Sequence, residues 1–311
     1  MKIGILFSGQ GAQYPGMMKD LYETEPAAKE VFDCADRVLG RSVSNLCFAG
    51  TQEELNLTHN TQPCMLAGDF AAGMALKAHG INADAAAGFS LGEYAALVYA
   101  GVLSEEEAFR IIQLRADAMQ EAVREGEGAM AAFIGAEASK VEEIVSRVKG
   151  GYVTAANYNS PVQTVISGSA QGVDEACDLA SQEGIRSVKL AVSAPFHCQL
   201  MEPAAMKLKE AFGSVKMADP SLPVYMNVNA SPLKSGSEAA DLLVSQAMSP
   251  VYWAQTLTNM YKDGIDTFIE CGAGKTLSGL VKKTLKGVTV LRVENQKTLE
   301  DTLAKLKESG I

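Results

Sequence analysis

No apolar run in the 311 residues approaches the ~20 needed to cross a bilayer, so no membrane partner is expected. The opening "MKIGILFSG" turns too soon for the core of a signal peptide and reads instead as a first strand. Low-complexity tracts are missing, and with 21% charged residues the composition gives no reason to expect disorder. Cysteines are sparse: six, at 34, 47, 64, 177, 198 and 271, with no CxxC and no paired spacing. That scatter speaks against a disulfide framework, fits a reducing compartment and leads to the expectation of a cytoplasmic protein. Basic charge is in deficit. The net charge of −10 argues against nucleic acid as the main partner and makes any local basic patch conspicuous. Histidines number only three, which narrows the search for a catalytic base.

What is present is a chain able to bury a large core, 47% hydrophobic and long enough for one large domain or two modest ones. Short β-rich runs such as "KIGILFSG" and "DAAAGFS" alternate with helical stretches, the mark of a parallel sheet with helices on its faces. Ser104 followed by Glu107 reads as a capping box opening a helix near 105–124. Between 127 and 193 the order changes to strand, helix, strand, strand, helix, strand, which is the ferredoxin-like sequence of elements. The expected architecture is therefore α/β: a large α/β-hydrolase-like domain (1–126 and 194–311) with an inserted ferredoxin-like subdomain (127–193).

Ser90 lies between Gly88 and Gly92 in "AAAGFSLGEYAAL", giving G-x-S-x-G. The motif carries meaning on a tight strand-to-helix turn, where small flanking residues relieve crowding and the helix N-terminus brings N–H groups to the serine. Spacing alone leaves helix cap and nucleophile both open. The apolar "DAAAGF" before it and the helical "LGEYAALVYAG" after it favour the nucleophile. Such a serine needs a base. His79, in "LKAHGIN", reads as a helix-end cation before a capping glycine. His59, in "LTHNTQP", reads as part of a polar, solvated loop. His197, in "AVSAPFHCQ", falls where the subdomain rejoins the large domain, a hinge beside a cleft, and is the best candidate, with a core or capping role as the alternative. Asp117, Asp174 and Asp178 all fall in predicted helices, so a Ser–His dyad is expected rather than a triad.

On the helix after Ser104, Arg115 is the only charge in the stripe Ala108, Ile111, Ile112, Ala118, Met119, Ala122. It could snorkel, pair with an internal glutamate, or face inward as a planar receptor for a carboxylate. Two further stretches fall short of nucleotide motifs. "GQGAQYPG" (9–16) lacks the third glycine of a dinucleotide fingerprint, and "ECGAGKT" (270–276) has Ile269 where a phosphate loop needs glycine. Both read as tight turns at the carboxyl edge of a sheet.

Eight segments in order, "GQGAQYPGM", "TQPCMLA", "GFSLGEYAALVYAG", "QLRADAM", "NYNSPVQTVISG", "APFH", "SPVYWAQTL" and "ECGAGKTLSGL", resemble the malonyl-CoA:acyl carrier protein transacylases along nearly the whole chain. The resemblance implies Ser90 as nucleophile, His197 as base, and Gln246 as the residue whose backbone carbonyl orients the imidazole. It implies backbone N–H groups of Gln10 and Leu91 as an oxyanion hole and Arg115 as the receptor for the malonyl carboxylate. Phe196 matches the bulky residue that accompanies malonyl rather than methylmalonyl preference in related acyltransferases. Phe89 departs from the histidine usual before the nucleophile, which removes a polar neighbour of the bound carboxylate. The implied reaction is ping-pong transfer from malonyl-CoA to the phosphopantetheine thiol of an acidic carrier protein, with no metal or bound cofactor, by a protein acting as a monomer. Arg186, Lys189, Lys282, Lys283 and Lys286 are the candidate carrier-docking cations. A hydrolase using the same dyad, or a noncatalytic carrier-binding module, would be the competing functions.

Overall fold

A computed structural model describes residues 1–192 and 194–310; the subdomain boundary expected at 193 and the final residue fall outside the described set. Strand β1 (Ile3–Phe7) leads to α1 (Lys19–Thr24), α2 (Pro26–Leu39), α3 (Val43–Ala49), α4 (Gln52–Asn56) and the long α5 (Thr58–Ala78). Then come β2 (Ala85–Gly88), α6 (Gly92–Tyr99) and α7 (Glu105–Glu121). Next are β3 (Gly128–Ile134), α8 (Ala138–Ser146), β4 (Val153–Ser160), β5 (Gln163–Ser169), α9 (Ala170–Gln182) and β6 (Arg186–Lys189). The chain closes with α10 (Glu202–Phe212), β7 (Val224–Tyr225), α11 (Gly236–Met248), α12 (Trp253–Lys262), β8 (Thr267–Cys271), α13 (Thr276–Thr284), β9 (Thr289–Val293) and α14 (Gln296–Glu308).

Five strands form an all-parallel sheet in the order β7-β2-β1-β8-β9. Its centre, β1, is the continuous apolar run "IGILF", as expected of a strand covered on both faces. Alternation sends Ile3, Ile5 and Phe7 into the core shared with α5, and Leu6 into a second core around Trp253, Phe268 and Leu280. α5 runs through the first core and is buried on almost every side.

The second sheet is antiparallel, in the order β4-β5-β3-β6, the arrangement the ferredoxin-like element order demands. Ala131, Phe133 and Ile166 pack on α8 and α9, while Met130, Ala132 and Val165 turn toward the large sheet. One face of the small sheet thus roofs a cleft whose floor is the carboxyl edge of the large one. At the far side, β4 is tied down by the backbone of Val251, which exchanges N–H and carbonyl bonds with Tyr158 and Ala156 at 2.9 Å each.

Two local expectations are corrected. "LTHNTQP" is not a loop: Thr58 to Pro63 form the first turns of α5, and His59 is half-buried. Proline survives there because the His59 carbonyl, which Pro63 cannot bond, accepts instead from Arg41 at 2.8 Å and Gln113 at 3.2 Å. The box at Ser104 is also not reciprocal. Its Oγ accepts the Glu107 N–H at 3.3 Å, but the Glu107 carboxylate takes the Ser104 hydroxyl rather than its backbone N–H.

Candidate active site

The site begins with steric exclusion at the turn between β2 and α6. A Cβ on Gly88 would lie 1.9 Å from the Gly92 carbonyl group, and one on Gly92 would lie 2.4 Å from the carbonyl oxygens of Phe7 and Ser8. Only glycine fits at either position, so helix and strand close to contact and Ser90 is thrust out at φ 55°. That left-handed backbone costs a non-glycine residue ~1 kcal/mol or more. The Asn227 side chain holds it, accepting the Ser90 N–H at 2.8 Å and donating to the Gly88 carbonyl at 2.7 Å.

Ser90 Oγ lies 2.6 Å from His197 Nε2, and His197 Nδ1 lies 2.9 Å from the Gln246 backbone carbonyl. A carbonyl can only accept, so Nδ1 carries the proton and Nε2 is left to receive the serine's. Burial, then the nearby Arg115 charge, lowers the imidazole pKa to about 4. The ring is therefore neutral at pH 7.

Arg115 is 2% exposed, and its charge meets no carboxylate within salt-bridge distance among the described residues. Neutral groups surround it. It donates to Gln62 Oε1 at 2.6 Å, to Gln246 Oε1 at 3.0 Å and to Ser90 Oγ at 3.4 Å, with Tyr94 beneath its plane at 5.5 Å. Nε has no partner among the described residues, and burial pulls its pKa down. A desolvated cation without a counter-ion is costly, and here it points at the serine.

Glu93, in the first turn of α6, accepts the Asn227 backbone N–H at 2.7 Å and the Gln246 side-chain amide. Burial pushes its carboxyl up to about 8, against those donors and Arg115. Glu93, Asn227 and Gln62 were not singled out from sequence. Glu93 alone left a local trace, a carboxylate inside the apolar "LGEYAALVYAG". The other two act across 137 and 53 positions of chain.

A cavity of about 440 Å³ opens over Ser90, lined by Gln10, Leu91, Arg115, Phe196, Met130 and Val165, and at its mouth by Lys275 and Lys283. The N–H groups of Gln10 and Leu91 have no acceptor among the described residues. Asn157, Asn159 and Gln163 line the roof, and the buried Asn159 Oδ1 has no partner there. Phe89 also lines the cavity and packs edge-on against Trp253 at 5.3 Å, an apolar anchor where a histidine would bring a polar one. His79 stands apart, paired with Glu25 at 3.1 Å. "ECGAGKT" holds no anion: the Glu270 carboxylate already accepts the Leu277 and Ser278 N–H groups at the start of α13. Of the candidate docking cations, Arg186, Lys282 and Lys283 are exposed, Lys286 lies just beyond α13 rather than on it, and Lys189 is paired with Asp174 at 2.5 Å. No cluster of metal-ligating side chains occurs among the described residues.

One cavity thus gathers an elbow serine, a carbonyl-oriented histidine, two N–H groups without acceptors among the described residues and a buried arginine without a counter-ion. Residues 5–304 match the family model described as acyl transferase domain, and the chain belongs to that family. It is 44% identical to the malonyl CoA-acyl carrier protein transacylase of Bacillus subtilis, over 99% of this chain and 98% of that protein. The solved transacylase of the same name from Clostridium perfringens superposes with a TM-score of 0.96 at 41% identity, covering 99% and 98% of the two chains. A malonyl-transacylase solved in complex with its type II PKS acyl-carrier protein superposes at 0.95, with 36% identity over 98% of this chain and 100% of that one.

Proposed function

We propose that this protein transfers the malonyl group of malonyl-CoA to the phosphopantetheine thiol of an acyl carrier protein through a malonyl-Ser90 ester. The observation that carries the reading is Arg115: a buried guanidinium without a counter-ion, 3.4 Å from the serine hydroxyl. A malonyl carboxylate supplies the missing charge and sets the thioester carbon beside Ser90.

His197 Nε2 takes the Ser90 proton as Oγ attacks the thioester carbonyl. The tetrahedral oxyanion rests on the N–H groups of Gln10 and Leu91, each such donor being worth roughly 3 kcal/mol. On collapse the C–S bond breaks, His197 returns the proton to the departing CoA sulfur, and malonyl remains on Ser90. The carrier's thiol then enters, loses its proton to His197 and takes the acyl group by the same steps reversed. Donor and acceptor both carry a pantetheine arm, and the Asn159 carbonyl in the roof, without a partner among the described residues, suits one of its amide N–H groups. Phe196, at the acyl end, limits room for a branched group. The residues themselves supply the nucleophile, base and oxyanion donors, so the proposed steps call on no bound cofactor.

Residues 1–126 with 194–311 form the catalytic domain in this reading and 127–193 an inserted subdomain, acting together as a monomer in the cytoplasm, a setting that suits six free cysteines. Intact-mass spectrometry after incubation with malonyl-CoA tests the core of it. One malonyl increment is expected on the wild type and none on Ser90→Ala; an increment on the variant, or none on the wild type, overturns the assignment.

A further inference from the structure

Ser90, His197 and Arg115 are joined through a carboxyl group that touches none of the three side chains. Glu93 is wholly buried in the first turn of α6. One of its oxygens accepts the Asn227 backbone N–H, and the Asn227 side chain holds the Ser90 N–H. The other accepts the Gln246 side-chain amide. Gln246 is the junction of the site. Its amide nitrogen also donates to the Ser90 carbonyl at 2.7 Å, its Oε1 accepts from Arg115 at 3.0 Å, and its backbone carbonyl holds His197 Nδ1 at 2.9 Å.

We propose that Glu93 is a positioning residue that fixes the orientation of the Gln246 side-chain amide and so aims the Arg115 guanidinium at Ser90. The assignment rests on the acyl-transfer reading and extends it. A glutamine amide has two orientations of nearly equal shape, and only its hydrogen-bond partners distinguish them. As placed, the Gln246 NH₂ faces two oxygens, of Ser90 and Glu93, while its carbonyl faces the guanidinium. Turned over, it would set NH₂ against Arg115 and oxygen against the Ser90 and Glu93 oxygens. The serine carbonyl weighs on that choice only once; the buried carboxyl supplies the second acceptor once it is ionised, above about pH 8, so the ratios below are read at pH 9. Removing it leaves Arg115 facing a rotor instead of a fixed acceptor, in a site where misplacement of an ångström is costly.

Glu93→Gln is the sharpest change because it keeps shape and volume. The new amide brings an NH₂ of its own between two N–H donors, the Asn227 backbone and the Gln246 side chain. Whichever way it turns, one donor faces another, and flipping Gln246 relieves the conflict at Arg115's expense. Only malonyl uses Arg115 for its carboxylate, so the ratio of kcat/KM for malonyl-CoA to that for acetyl-CoA should fall. We expect about tenfold, the scale for a charge-assisted hydrogen bond loosened rather than lost. Glu93→Asp keeps the carboxyl but draws it back by one methylene, and should lower the ratio by less in the same direction; it serves also where Glu93→Gln fails to fold. In an Arg115→Ala background neither change should move the ratio further. Equal slowing of both acyl groups, or an unchanged ratio in a variant that loads, would show Glu93 to be structural and overturn the proposal. A wild type that forms no malonyl adduct would overturn the acyl-transfer reading instead.

Discussion

In the proposed mechanism Arg115 makes two opposite contributions at one serine. It offers a charge to an incoming carboxylate, and it depresses the basicity of the imidazole that must activate that serine. The first contribution predicts selectivity. A charge-assisted, desolvated contact is worth about 3 kcal/mol, so Arg115→Ala should cut kcat/KM for malonyl-CoA about 100-fold. Acetyl transfer, which has no carboxylate to place, should hold or rise. Arg115→Lys should recover only part, since an ammonium cannot present the two-pronged fork. Equal slowing of both substrates would make Arg115 a structural residue. The second contribution predicts a pH profile. Protonated His197 cannot accept the serine proton, so acyl loading should fall as pH drops through about 4. Removing the guanidinium removes one of the two causes that lower the imidazole, so the acid limb of acetyl loading should move to higher pH in Arg115→Ala. A bound malonyl carboxylate neutralises the same charge. The transfer half-reaction, measured from preformed malonyl-enzyme, should therefore show its acid limb above that of loading. An unmoved limb in the variant would show that burial alone sets the histidine.

At the scale of elements, the turn between β2 and α6 is where sequence and structure meet most directly. Gly88 is legible in the motif because it excludes a Cβ for a reason that spans only four positions of chain, whereas Gly92 makes room for the Phe7 and Ser8 carbonyls at the end of β1. Gly88→Ala has nowhere to put its methyl group, 1.9 Å from the Gly92 carbonyl group, so β2 and α6 must separate. We expect loss of the malonyl adduct together with a fall in Tm of several degrees, the response of a domain of this size to a destabilisation of a few kcal/mol. Retained loading would mean the elbow tolerates opening. Ser104→Ala tests a more ordinary element: losing the cap of α7 should cost ~1 kcal/mol by denaturant melting and leave the malonyl to acetyl ratio alone. The element order of the inserted segment and the apolar β1 were likewise readable from local pattern. "LTHNTQP" was not, because the acceptor it leaves open is filled by Arg41 and Gln113 from elsewhere in the chain. The same holds for Glu93 and Asn227. Their roles exist only once α6, α11 and the segment after β7 meet, and no period or spacing records that meeting.

For the whole molecule the governing quantity is charge. A protein of net charge −10 must attract an acidic carrier through a local field against its long-range repulsion. The candidate docking cations differ in what they can contribute. Lys189 is already paired with Asp174, whereas Lys282, Lys283 and Lys286 carry no ion pair among the described residues. Lys283 lines the cavity itself, which in the proposed mechanism admits the pantetheine of CoA and of carrier alike, so its reversal would not separate the two. Lys282 and Lys286 do not line it. Reversing both to glutamate should raise the carrier's KM several-fold while leaving loading from malonyl-CoA unchanged, because loading involves the small donor and the cavity alone. The wild-type KM for carrier should also climb with ionic strength between low and physiological salt, where the screening length shortens to about 8 Å, and the double variant should have lost most of that slope. Matching losses with both substrates would place the two lysines in the site rather than beside it. A carrier KM that ignores both salt and charge reversal would move the docking face away from α13 altogether.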